Sequence, residues 1–157
     1  MPLHRLSPDH SGDQSSQRTN ININSKHEIR NSKQFRMTKI QNFKTYDLED
    51  RTLNFAKKVR ALVKQLSKTT ANIEDGKQLI KASGSVGANY IEANEALSKK
   101  DFIVRIKICR KEAKESRYWL RLIDTRNEPE QENEQKDLEN EATELMNIFG
   151  SILRKSE

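Results

Sequence analysis

The sequence predicts an all-α protein, an antiparallel up-down four-helix bundle with a disordered N-terminal extension. Apolar residues recur at alternating spacings of four and three, which places them on one side of a helix, and no segment alternates with the period of two that a strand needs. The periodic segments are joined by short connections, as in an up-down bundle. Apolar and charged residues each make up 33% of the chain, a composition that suits long amphipathic helices.

The first 36 residues differ in composition from the rest of the chain. They are rich in Ser, Asn and Gln and poor in large apolar residues, which predicts disorder. We interpret residues 1–36 as a disordered upstream extension that results from a misassigned start codon. The alternative is a flexible tail that is a genuine part of the protein. Residues 37–157, beginning at Met37, then form the bundle. All three histidines of the chain lie in the extension: His4, His10 and His27.

The first helix is predicted over about Leu48–Leu66, with Asp47 as its N-cap. The second helix is expected to begin at Ile73 or Gly76 and to end at Ala96. The small residues in its middle favour a close crossing with a neighbouring helix, because each glycine costs a helix roughly 1 kcal/mol relative to alanine. A phosphate-binding loop is excluded there, since no strand precedes SGSVG and no Gly-Lys-Ser/Thr follows. The small residues are Ser83, Gly84, Gly87 and Ala88.

The third helix carries the clearest pattern and is predicted from its N-cap Ser98 to about Arg126, with Pro129 beyond its end. Its apolar positions are Phe102, Ile106, Cys109, Ala113, Ser116, Leu120 and Ile123. The fourth helix is predicted over about Gln131–Arg154. Its apolar positions repeat the same spacing: Leu138, Ala142, Leu145, Phe149 and Ile152.

A second stripe lies on the third helix, about 100–120° around its axis from the first. One interpretation is a wide core face whose rim is covered by Trp119. The other is an interface with another subunit, which the enrichment of Trp in binding hot spots slightly favours. The members of this stripe are Ile108, Glu115, Trp119 and Leu122.

Charge is distributed unevenly between the third and fourth helices. Residues 98–126 hold ten Lys/Arg and four Asp/Glu, whereas residues 127–157 hold three Lys/Arg and nine Asp/Glu. A cationic flank of the third helix can pair with an acidic flank of the fourth, or it can bind phosphates. In the second case a cationic flank of the first helix would contribute as well. The cationic flank of the third helix is Arg110, Lys114, Arg117 and Arg121, and the acidic flank of the fourth helix is Asp137, Glu141 and Glu144. The cationic flank of the first helix is Lys57, Arg60 and Lys64.

Several function classes are excluded by what the bundle segment lacks. No histidine follows residue 40, which removes the Glu-x-x-His pairs of di-iron bundles and the Ser-His-Asp and Cys-His nucleophile arrangements. We therefore expect no enzyme activity, no metal, no cofactor and no small-molecule substrate. No apolar run reaches the ~20 residues of a membrane span, no signal-peptide core is present, and the single cysteine excludes an internal disulfide. A cytoplasmic location follows by default.

The run SGSVGANYIEANEALSKKDFIVRIKICRKEAKESRYWLRLI, residues 83–123, resembles the four-helix-bundle family of 23S rRNA intervening-sequence proteins, as does YDLEDRTLNFAKKVRALV, residues 46–63. The resemblance spans about Tyr46–Leu153. It implies an up-down bundle that assembles as a homopentamer without established enzymatic activity. A related family, the accessory proteins of diversity-generating retroelements, forms basic pentameric barrels that bind nucleic acid and a reverse transcriptase. The long N-terminal extension and the acidic fourth helix depart from this pattern.

Two function classes remain from the sequence. The first is an oligomeric bundle, encoded by or associated with a 23S rRNA intervening sequence, that binds RNA or DNA weakly through its basic flanks. The second is a protein–protein scaffold that does not contact nucleic acid. A salt-dependent gel shift would separate the two classes.

Overall fold

A computed structural model describes residues 47–157 of the chain, and four helices account for most of them. Helix α1 occupies residues 47–65, and α2, α3 and α4 span Thr70–Asn94, Lys99–Leu122 and Pro129–Ser156. No strand occurs within this described range. The predicted all-helical four-helix fold is confirmed. The interpretation of residues 1–36 as an extension, and the start of the bundle at residue 37, lie outside the described residues.

Polar caps fix where α2 and α3 begin, whereas α4 begins at Pro129 without a side-chain cap. The Ser98 hydroxyl accepts a hydrogen bond from the Asp101 amide at 3.1 Å, as predicted for the start of α3. The Thr69 hydroxyl accepts one from the Asn72 amide at 3.2 Å. Because Thr69 caps α2, that helix begins at Thr70, before the start at Ile73 or Gly76 that its apolar pattern predicted.

The end of α3 also differs from the prediction. The helix stops at Leu122 instead of about Arg126. Ile123 already has extended backbone angles, yet its side chain stays 4% exposed in the core. Arg126 and Asn127 have φ of 54° and 59°, the left-handed region in which a right-handed helix cannot continue. The apolar spacing therefore runs past the last turn of the helix.

Most of the predicted apolar positions form one core between the four helices, whereas Ile152 of α4 is only partly buried at its edge. The α3 positions Ile106, Cys109, Ala113 and Leu120 are completely buried, whereas Phe102 is half-buried at the rim. Residues from α1, α2 and α4 complete the core, among them Phe55, Val59, Leu62, Leu79, Val86, Tyr90, Leu138, Ala142, Leu145 and Phe149.

Neighbouring helices run in opposite directions, because the residues that meet follow opposite orders along the two helices. Helix α1 lies between α2 and α4, and α3 lies between the same two helices, so α1 and α3 are diagonal. Between α1 and α2 the pairs are Thr52–Gly87 and Val63–Gly76, and between α2 and α3 they are Asn89–Arg105 and Asn72–Asp124. Between α3 and α4 they are Arg110–Gly150 and Leu120–Gln135, and between α1 and α4 they are Arg51–Glu141 and Gln65–Glu134.

The buried side chain of Asn72 joins two chain reversals at one end of the bundle. Its amide nitrogen donates to the carbonyl of Ser67 at 3.1 Å and to that of Asp124 at 2.9 Å. Its amide oxygen accepts from the Asp124 N–H at 2.8 Å. One side chain thereby satisfies backbone groups of the α1–α2 turn and of the segment that follows α3.

Candidate nucleic-acid and subunit interfaces

The cationic flank predicted on α3 lies on the side of that helix that faces α4. The Arg117 guanidinium donates to the Thr143 hydroxyl at 3.4 Å, and Arg110 Nε would lie 3.7 Å from a Cβ placed on Gly150. Lys114 and Arg121 follow on the same flank at helical spacing. Arg110, Lys114 and Arg121 are exposed and Arg117 is half-buried. We call these four residues the α3 cation stripe.

Pairing of the α3 cation stripe with the acidic flank of α4, one of the two sequence interpretations, is wrong. Glu141 accepts from Arg51 of α1, with Oε1 2.7 Å from Nε and Oε2 2.9 Å from Nη2, and Glu144 pairs with the same guanidinium. Asp137 lines the groove between α1 and α4. The heptad of α4 therefore turns its acidic flank towards α1, while Thr143 and Gly150 face α3.

This placement leaves the α3 cation stripe without carboxylate partners. Within residues 47–157, no Asp or Glu oxygen lies within 4.0 Å of a cationic nitrogen of any of its four members. Arg51, in contrast, holds both of its acidic partners, and the hydrogen bond to Glu141 raises the pKa of its guanidinium above its usual value. None of the four side chains therefore forms an ion pair within this part of the chain.

The cations predicted on α1 lie on a different face of the bundle. Lys57, Arg60 and Lys64 are all exposed. Lys57 and Arg60 line a groove of about 430 Å³ between α1 and α2, whereas the α3 cation stripe borders α4. The structure therefore does not bring the two predicted cation groups together within one chain.

The second stripe on α3 lies at the edge of the buried face of that helix and is partly exposed. Ile108, Glu115 and Trp119 are half-buried, and Leu122 is 46% exposed. Trp119 packs against the core and donates its indole N–H to Glu115 at 3.3 Å. Val104, one turn before Ile108, is 47% exposed and extends the stripe; its spacing of four from Ile108 was the available sequence signal. We call these five residues the α3 ridge.

An apolar groove between α1 and α2 was not predicted from the sequence. Leu53 and Ile91, at one end, are 51% and 52% exposed. Gly84 and Gly87 form part of its floor. A second depression of about 160 Å³ continues along the same two helices and is lined by Val63, Ile73, Gly76 and Ile80, among others. We call the two depressions together the α1–α2 groove.

The small residues of α2 have separate roles in this region. Ser83 is completely buried. A Cβ on Gly87 would come within 3.0 Å of the Thr52 hydroxyl, so α1 and α2 do cross closely at that point. A Cβ on Gly84 would meet only the end of the Arg60 side chain, at 3.3 Å. Gly84 therefore leaves room for the end of the Arg60 side chain, whereas Gly87 permits the close crossing.

Residues 44–151 match the model of the 23S rRNA-intervening sequence protein family. The chain belongs to this family. It is also similar to a solved structure from Bacteroides thetaiotaomicron, described as a protein with unknown function from the S23 ribosomal protein family. The two sequences are 34% identical, the TM-score is 0.59, and the match covers 67% of this chain and 96% of that one. A comparison with curated proteins gives no match.

Family membership agrees with the fold but does not identify a reactive site. Among the described residues, few side chains are candidates for metal binding or nucleophilic chemistry. No group of three or more His, Cys, Asp or Glu side chains among them could hold a metal ion. Cys109 is completely buried, and desolvation raises the pKa of its thiol to about 12. None of the helices in residues 47–157 is long and apolar enough to span a membrane.

One exposed aromatic residue adjoins the α3 cation stripe. Tyr118 lies between Arg117 and Arg121 in sequence and is 57% exposed, with its ring 5.0 Å from that of Trp119 in an edge-to-face arrangement. An exposed aromatic ring therefore adjoins both the α3 cation stripe and the α3 ridge. Its position makes it a useful probe of base stacking at this surface.

Proposed function

We propose that this protein is a non-enzymatic, cytoplasmic homo-oligomer that binds structured RNA or DNA weakly, through contacts between phosphates and the α3 cation stripe. The observation that carries this proposal is the absence of carboxylate partners for the stripe within residues 47–157. Cations at helical spacing can each neutralise a phosphate and release a condensed counterion. The family name refers to an intervening sequence of 23S rRNA, so the proposal includes that the protein is encoded by or associated with such a sequence.

The charge distribution supports the same proposal. The acidic flank of α4 is directed towards Arg51 of α1, so its negative charge does not cancel the positive charge beside Thr143 and Gly150. The whole chain carries a net charge of +6. Phosphate contacts carry no direct sequence information, and we therefore expect little sequence preference.

The test is binding of a fluorescent RNA hairpin by the triple variant Arg110→Gln, Lys114→Gln and Arg121→Gln. Since these three side chains have no ion-pair partner within residues 47–157, their replacement should leave the thermal midpoint unchanged. Affinity should fall, and the slope of log K against log salt should decrease by about one for each phosphate that the variant no longer neutralises.

A matched control removes three exposed cations elsewhere: Lys81→Gln, Lys99→Gln and Lys155→Gln. The control lowers the net charge by the same amount but keeps the α3 cation stripe. If the stripe is the site, the control should bind with an affinity close to that of the wild type. An equal loss in the control would mean that binding follows net charge alone. No wild-type binding even at about 50 mM salt would remove nucleic acid from the proposal.

The α1 cations form a second, separate part of this proposal. Lys57, Arg60 and Lys64 lie on another face of the bundle, so one nucleic acid would reach them and the α3 cation stripe most easily on different copies of the chain. Replacement of all three by Gln separates their contribution. Tyr118→Ala measures stacking, which should contribute little if phosphate contacts dominate.

The second candidate function is a protein–protein scaffold with no direct contact to nucleic acid. Two exposed apolar surfaces, the α3 ridge and the α1–α2 groove, favour it. Both candidates include a homo-oligomer, and the resemblance to pentameric bundles implies five subunits. Retained oligomerisation together with no gel shift at low salt would favour the scaffold.

A further inference from the structure

The α3 ridge and the α1–α2 groove are both partly apolar surfaces. The ridge lies on a single helix and includes Val104 and Leu122, which are 47% and 46% exposed. The groove is concave, because glycines take the place of side chains between its two helices. The two surfaces lie on different sides of the bundle, so a ridge can enter the groove of a second copy while both chains keep their other surface free.

The apolar residues of the two surfaces also lie at corresponding positions along the bundle axis. Gly87 is level with Thr52 of α1, and Asn89 is level with Arg105 of α3. The part of the ridge formed by Val104 and Ile108 is therefore level with the end of the groove that holds Leu53 and Ile91.

The other end of the ridge matches as well. Gly76 is level with Val63, and the Asn72 hydrogen bonds place the residues that follow α3 near the beginning of α2. Trp119 and Leu122 are therefore level with the second depression. Two parallel copies placed side by side would align both ends of the ridge with apolar parts of the groove.

Between these two ends, each surface carries a charge of the sign opposite to that of the other. Glu115 is the single acidic residue of the ridge, and by the same register it is level with Arg60, whose guanidinium lies beside Gly84 in the groove. Within one chain these residues cannot pair, since α1 and α3 lie diagonally. Glu115 accepts from the Trp119 indole at 3.3 Å, and Arg60 donates to the Ala56 carbonyl at 3.1 Å. Neither residue has an ion pair within residues 47–157.

We propose that the α1–α2 groove of one copy receives the α3 ridge of a second copy, with Arg60 of the first facing Glu115 of the second. This inference rests on the proposed homo-oligomer and adds the surface that the ridge meets. A contact between two different surfaces is head-to-tail, and it closes into a ring when the rotation between copies permits. Arg60 then belongs to the subunit contact and not to the phosphate contacts, whereas the α3 cation stripe lies outside both surfaces.

The first test uses exposed residues, so that the fold of the monomer is kept. Ile91→Glu places a charge in the groove, and Leu122→Glu places one on the ridge. Each variant alone should shift the mass measured by light scattering from the oligomer to the 18.3 kDa monomer, with unchanged helicity by circular dichroism. Leu97→Glu, at a fully exposed leucine outside both surfaces, is the matched control and should keep the oligomer.

Mixing the two monomeric variants distinguishes a head-to-tail contact from a symmetric one. The Ile91→Glu chain retains its ridge and the Leu122→Glu chain retains its groove, so an equimolar mixture should form dimers and stop there. A ridge-to-ridge contact would instead leave Ile91→Glu oligomeric by itself. That result would overturn the inference while leaving the proposed homo-oligomer in place.

A charge exchange tests the paired residues directly. Arg60→Glu and Glu115→Arg should each weaken the oligomer, and the double variant should recover most of the wild-type mass. Recovery cannot arise within one chain, because α1 and α3 are diagonal. No recovery in the double variant would overturn the assignment of this pair. A wild-type protein that is monomeric at micromolar concentration would overturn this inference and the proposed homo-oligomer together, whereas RNA binding is measured independently.

Discussion

Two glycines, three residues apart on α2, should respond in opposite ways to the same substitution. A Cβ on Gly84 would meet only Arg60 Nη2, at 3.3 Å, and this atom is at the end of a flexible side chain. A Cβ on Gly87 would meet the Thr52 hydroxyl at 3.0 Å and Thr52 Cβ at 3.4 Å. Thr52 is only 1% exposed, and its hydroxyl donates to the Glu49 carbonyl at 2.9 Å. The side chain of Thr52 therefore cannot move aside easily.

The expected magnitudes follow from these two environments. Alanine stabilises a helix interior by about 1 kcal/mol relative to glycine, and Gly84→Ala should realise most of that gain. At Gly87 the same gain is opposed by overpacking, which typically costs about 1–3 kcal/mol. Gly87→Ala should therefore be neutral or destabilising by up to about 2 kcal/mol, and the two variants should differ by about 1–3 kcal/mol. Gly87→Leu should be more destabilising still.

The measurement is urea unfolding followed by far-UV circular dichroism, at one protein concentration because the stability of an oligomer depends on it. Equal m-values would show that the midpoints compare the same transition. If Gly87→Ala were as stabilising as Gly84→Ala, the close approach of α1 to α2 at Thr52 would be absent and the reasoning would be refuted.

Three further predictions concern single side chains. Asn72→Ala should lower the free energy of unfolding by about 2–4 kcal/mol in urea titrations, because it leaves buried backbone groups of two chain reversals unpaired, whereas a loss below about 0.5 kcal/mol would mean that water replaces the amide. Arg51→Met should lower it by about 1 kcal/mol, less at high salt, since the guanidinium is about one-third exposed; a loss that does not change with salt would contradict an ionic origin. The Cys109 thiol, with its pKa raised from 9.0 to about 12 by burial, should contribute full stability below pH 9 and lose it as pH rises towards 12. Wild-type stability should consequently fall between pH 8 and about pH 10.5 by roughly 1–2 kcal/mol more than that of Cys109→Ala, and equal falls would contradict the effect of burial.

The sequence predicted helix faces better than helix ends, for a physical reason. Burial repeats along a helix, so the spacing of Ile106, Cys109 and Ala113 specifies the buried face of α3 repeatedly. A helix end depends on one or two polar contacts. The first turn of α2 has little apolar periodicity and is held by the Thr69 cap, and Ile123 remains in the core after α3 has ended.

The candidate sites were predicted in part. Spacing correctly places Arg110 and Arg117 on one flank of α3 and Glu141 on one flank of α4. Viewed along the bundle axis, the four helices can follow one another clockwise or anticlockwise, and this order decides which neighbour borders each flank. Both arrangements bury the same apolar heptads. The sequence therefore could not show that Glu141 meets Arg51 instead of Arg117. The α1–α2 groove was missed because it arises from the packing of two helices and not from a motif in either.

The two ends of the bundle should differ in their tolerance of added chain length. At one end, Asn72 holds backbone groups from two reversals, so an insertion near Ser67 or Asp124 would separate the amide from its partners. At the other end, residues 95–98 form a short turn in which Leu97 is fully exposed. The first described residue, Asp47, and the last, Glu157, lie at that same end because neighbouring helices are antiparallel. A circular permutation that opens the chain at Leu97 and joins residues 47 and 157 by a linker would keep every core contact and the Asn72 amide.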